Sequence, residues 1–88
     1  MSGFDWLPDL LARLQAEHVR VRTQSTVGRA RLLELDAEEW GRAAAVAEQS
    51  GLRWAGAWAD HIEDGLQLTA CLRRQGDVLL LRTRVPVA

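Results

Sequence analysis

The 88-residue sequence holds a single cysteine, so no disulfide within the chain can brace the fold. No apolar run approaches the roughly 18 residues that a bilayer-spanning helix needs. The first residues, MSGFDWLPDLL, lack the basic-then-apolar order of a secretory signal. Neither sign of charge dominates: eleven Lys and Arg against twelve Asp and Glu leave a formal net charge of −1. That balance gives no reason to expect nucleic acid or an anionic membrane as the main partner. The sequence has no CxxC, no HExxH and no serine in an elbow. Gly51, Gly56, Gly65 and Gly76 are scattered over turn and strand positions rather than gathered into a phosphate-cradling loop. Linkers, repeats and low-complexity segments are missing too. These absences point to one cytoplasmic domain over residues 1–88, with no direct membrane insertion, though peripheral docking on a membrane complex is compatible with them.

What is present is organised around residues 66–85, LQLTACLRRQGDVLLLRTRV. Leu66, Leu68, Ala70 and Leu72 alternate onto one side, and Leu79, Leu81, Thr83 and Val85 do the same in the second half. Gly76-Asp77 between them predicts a hairpin loop. With those two residues as the loop, Leu72 faces Leu81, Ala70 faces Thr83 and Leu68 faces Val85, so both apolar sets share a face.

The earlier chain supplies what covers that face. Phe4 to Gln15 reads as a short helix with Pro8 in its first turn and Phe4, Leu7, Leu11 and Leu14 at helical spacing. Val19 to Thr26 alternates weakly and has a polar side, as an edge strand does. Gly28 allows a turn, and Ala30 to Leu35 forms a second strand carrying Leu33 and Leu35. Asp36 with Glu39 three places on resembles a capping box. The helix it opens runs to Gln49, with Trp40, Ala43, Ala44 and Ala47 on one stripe, and Ser50-Gly51 ends it. Leu52 to Ile62 is a third strand. The strand–helix–strand passage is long enough for the second and third strands to run parallel. The expected fold is α+β: a largely antiparallel sheet with two helices packed on one face.

Two tryptophans are ambiguous. A two-residue loop at Asp64-Gly65 places Trp54, Trp58 and Ile62 beside Cys71, Leu80, Arg82 and Arg84, an aromatic and arginine-rich docking face. A three-residue loop with a bulge sends both rings to the core, which the small size of the domain favours.

Candidate chemistry is sparse. Asp60, His61, Glu63 and Asp64 could hold a metal or move protons, but Asp60 and His61 are strand neighbours and point to opposite faces. Glu63 and Asp64 border a turn, where acidic residues are ordinary. His18 has no partner at useful spacing and reads as capping or solvating the first strand. Cys71, with Arg82 expected opposite, has no histidine placed to activate it. No catalytic, metal or cofactor-binding residue emerges. The protein-interaction residues expected from the pattern are Val78, Leu80, Arg82 and Arg84, the outward side of the last strand. A free edge on that strand would also suit strand addition, including a homodimer.

From Trp40 onward the sequence resembles a known family. A helix, then GLRWAGAWAD, a short acidic turn and GLQLTACLRRQGDVLLLRTRVP is similar to the N-terminal domain of a noncatalytic peripheral-arm component of NADH–quinone oxidoreductase (respiratory complex I). It is nearer to the same module fused ahead of the large subunit in formate-hydrogenlyase-type nickel–iron hydrogenases. The matching features are the glycine-ended helix, the strand finishing at Asp60, and the last strand ending in Arg84, Val85 and Pro86, over roughly half of the chain. The resemblance implies an α+β scaffold without cofactor or catalytic residue, packed on the large subunit of a redox complex at the inner membrane. The family continues into a segment with a D-[ML]-[FY]-G motif that meets the large subunit. This sequence stops at Ala88, as a short subunit or a fragment would, and no functional residue carries over. The other reading is a free-standing homodimeric interaction or regulatory module.

Overall fold

A computed structural model describes residues 3–86. Seven elements follow in order: α1 (Leu7–Ala16), β1 (Val21–Val27), β2 (Ala30–Leu35), α2 (Ala37–Gln49), β3 (Arg53–Ile62), β4 (Gly65–Arg74) and β5 (Asp77–Pro86). The strands form one sheet in the order β1-β2-β5-β4-β3. β2 runs parallel to β5, and the remaining pairs are antiparallel. This is the expected α+β class. β2 and β3 do point the same way, but β5 and β4 lie between them.

Helix ends follow from local chemistry. Pro8 sits in the first turn of α1, where its missing N–H costs no helical bond. At the other end His18 takes a left-handed φ of 61°. The Val19 N–H then donates to the Leu14 carbonyl at 2.8 Å and the His18 N–H to Gln15 at 3.0 Å, a Schellman closure. Gly51, at φ 94°, closes α2 in the same way, with Leu52 N–H donating to Ala47. The capping box does not form. Asp36 makes no side-chain cap bond; its carboxylate instead accepts from Arg22 at 2.8 Å. Glu39 turns outward and accepts from the Arg20 N–H at 2.6 Å, fastening α2 to the start of β1.

The apolar stripes of both helices meet one face of the sheet. Leu7, Leu10 and Leu14 from α1, and Ala43, Ala44, Val46 and Ala47 from α2, pack with Leu33, Leu35, Ala70, Leu72, Leu79 and Leu81. The alanines let α2 lie close to the strands. Each fully buried leucine contributes roughly 1.5–3 kcal/mol through burial. The Trp40 indole N–H also donates to the Leu81 carbonyl at 2.8 Å, tying the helix to the central strand.

Both hairpins differ from expectation by two residues. Gln75-Gly76 forms the β4–β5 loop, with φ of 50° and 87° as a primed turn requires, so Leu72 pairs with Leu79 and Ala70 with Leu81. Asp77 is thereby released into the strand, where its carboxylate accepts from the Phe4 N–H at 2.8 Å and the Trp6 indole at 2.9 Å. Glu63-Asp64 forms the β3–β4 loop, and Gly65 begins β4 opposite Pro86. A two-residue shift preserves which face each side chain occupies.

The position of β5 corrects a second expectation. It is paired on both sides, to β2 and to β4, so its edge offers nothing for strand addition. β1 and β3 are the edges.

Candidate protein interface

Alternation along β5 turns Val78, Leu80, Arg82 and Arg84 to the face opposite the helices, as anticipated. Cross-strand partners share a face, so the register reads out the rest. One row runs Ser25, Leu32, Leu80, Cys71 and Gly56. The next runs Thr23, Glu34, Arg82, Thr69 and Trp58, and beyond it Arg84, Gln67 and Asp60 line up. On the other side Val27, Ala30, Val78, Arg73 and Arg53 form a further row. Ala30, Leu32 and Leu80 make a second, smaller apolar cluster, with Cys71 and Val78 packed against it. Strand residues alone build this cluster, and both helices belong to the other one.

The four expected interface residues therefore differ in kind. Leu80 is 9% exposed and serves the small cluster. Arg82 is half-buried, its Nε donating to the Thr69 hydroxyl at 3.3 Å. Val78 is half-buried and Arg84 exposed. A charge at Leu80 would disturb packing as well as surface, so Val78 and Arg84 are the better probes. Arg53, Arg73 and Trp58 belong to the same surface and were not among the expected interface residues. The signal for them lies in β2, where Ala30 and Leu32 are apolar out of phase with Leu33 and Leu35.

The tryptophans follow neither expectation. The β3–β4 register slips between Trp54 and Gly56, making Ala55 the extra residue of a bulge. Trp58 pairs with Thr69 on the bare face, while Trp54 pairs with Leu72 on the helix side. Both are 46% exposed, so neither ring is core.

The remaining candidates stay apart. Asp60 is level with Gln67 on the bare face, His61 with Leu66 on the helix side, and Glu63 and Asp64 form the turn. Among the described residues no three His, Cys, Asp or Glu side chains are grouped to hold a metal ion. Cys71 is level with Leu80 and Gly56, not with Arg82 as expected. His18 is used as a helix terminator.

An open groove of about 590 Å³ lies where β2 and β5 end beside the start of α2, lined by Arg22, Glu34, Asp36, Glu38, Thr83 and Arg84 among others. The buried Thr83 hydroxyl has no hydrogen-bond partner among the described residues. Asp36 holds Arg22 through a charge-assisted hydrogen bond and its nearby negative charge, which raises the guanidinium pKa. That contribution is present below the unfolded pKa and fades only in strong alkali. Two arginines against three carboxylates give the groove no clear preference for an anion.

No helix among the described residues is long and apolar enough to cross a membrane. Compared with known proteins, the chain matches no protein-family model and no curated protein.

Proposed function

We propose that this chain is a noncatalytic accessory subunit or domain of a nickel–iron hydrogenase or complex I-like assembly, held against the large subunit by its bare sheet face. The observation that carries the reading is a two-layered domain with only one side of its sheet covered. The other side joins apolar side chains (Val78, Leu80, Trp58) to arginines (Arg53, Arg73, Arg82, Arg84), the pairing that interface centres favour. The resemblance over the second half of the sequence supports the choice of assembly. On this reading the chain has no cofactor or catalytic residue of its own and reaches the cytoplasmic side of the inner membrane through its complex.

Co-expression with a hydrogenase large subunit tests it. The wild-type chain should co-purify, and Val78→Asp combined with Arg84→Glu should abolish recovery while leaving the circular dichroism spectrum unchanged. Failure of the wild type to co-purify, or undiminished recovery of the variant, would count against the proposal. The second reading, a homodimeric interaction module, draws support from the unpaired outer edge of β3.

A further inference from the structure

β3 closes one side of the sheet and pairs with β4 alone, leaving a ten-residue outer edge. Soluble proteins usually keep such edges short, polar or charged. β1, at the opposite side, fits that rule with seven residues, VRTQSTV, and an irregularity at Arg22. β3 does not. Its sequence, RWAGAWADHI, sets two half-exposed tryptophans among alanines and a glycine.

We propose that a second copy of this chain covers this edge, β3 pairing antiparallel with β3 about a two-fold axis through Ala57, to make a continuous ten-stranded sheet. The bulge decides the register. With Ala57 opposite Ala57 of the partner subunit, Trp58 comes opposite the partner's Gly56 on the bare face. Because Ala55 is the extra residue, Trp54 comes opposite the partner's Ala59 on the helix side. Arg53 then meets the partner's Asp60, both on the bare face. A strand without the bulge would bring Arg53 level with the partner's His61, which faces the other way. Every large ring thus faces a glycine or alanine that leaves room for it. The cation at one end of the strand faces the anion at the other, and the two-fold axis repeats each contact. Val78, Arg82 and Arg84 stay accessible in such a dimer, so it stands or falls independently of the docking reading.

Sedimentation equilibrium of the full chain at micromolar concentration tests the proposal. The wild type should sediment at twice its 9.8 kDa mass. Ala57→Glu, which sets two carboxylates against each other on the axis, should yield a monomer with an unchanged circular dichroism spectrum. Arg53→Asp and Asp60→Arg should each weaken the dimer by roughly tenfold, and the double exchange should restore it. The exposed charge pair keeps the test decisive if Ala57→Glu folds poorly. A monomeric wild type, a folded Ala57→Glu dimer, or a double exchange no better than either single change would overturn the proposal.

Discussion

At the scale of single residues, the structure depends on two contacts around the closing hairpin. Gly65 lies where a Cβ would stand 2.1 Å from the Val85 carbonyl oxygen, so backbone rather than a movable side chain would have to give way. Gly65→Ala is expected to lower stability by about 2–3 kcal/mol, read from the urea midpoint. Asp77 is the second contact. Its carboxylate gathers the Phe4 N–H and the Trp6 indole, clipping the segment before α1 to the turn of the last hairpin. Asp77→Ala strands both partly buried donors and is expected to cost about 1–3 kcal/mol. In a Trp6→Phe background the same change should cost less, because one donor is already gone.

At the scale of elements, local alternation was legible and nonlocal pairing was not. The two sides of β4 and β5 followed from period-two patterning and survived a two-residue shift of the loop. The shift itself arose because Gln75, an uncommon left-handed residue, occupies the turn, while Asp77 has long-range partners that no window around it reveals. Gln75→Asn supplies the preferred Asn-Gly turn pair and should raise stability by roughly 0.5 kcal/mol, measured by thermal or urea unfolding. The bulge in β3 had one cue, Gly56 inside an otherwise regular strand, and its effect on Trp54 and Trp58 depended on which neighbour paired where. The central place of β5 had a cue as well: Val78-Leu79-Leu80-Leu81 is apolar on both faces, as a strand flanked by others tends to be. The capping box failed for an electrostatic reason. Arg22 and the Arg20 N–H, both distant in sequence, took the carboxylates that Asp36 and Glu39 would have used.

At the scale of the whole molecule, the fold has one covered face and one bare one, and a bare edge at β3. Every one of its eleven basic residues is arginine, the cation that protein interfaces favour over lysine. Four of them, Arg53, Arg73, Arg82 and Arg84, fall on the side of the sheet without helices. Of the docking surface, the β5 contribution was legible from alternation alone. The contributions of β2 and β3 required the strand order, which places them on the same plane as β5.

The lone cysteine gives the bare face a built-in probe. Cys71 sits between Leu80 and Gly56 in the middle of that surface, half-buried and free. Its alkylation rate by iodoacetamide can be measured in the chain alone and with a hydrogenase large subunit added in excess. If the bare face is where the large subunit docks, the rate should fall severalfold on addition and stay at the free value for the Val78→Asp/Arg84→Glu chain. An identical rate with and without the large subunit would contradict the account.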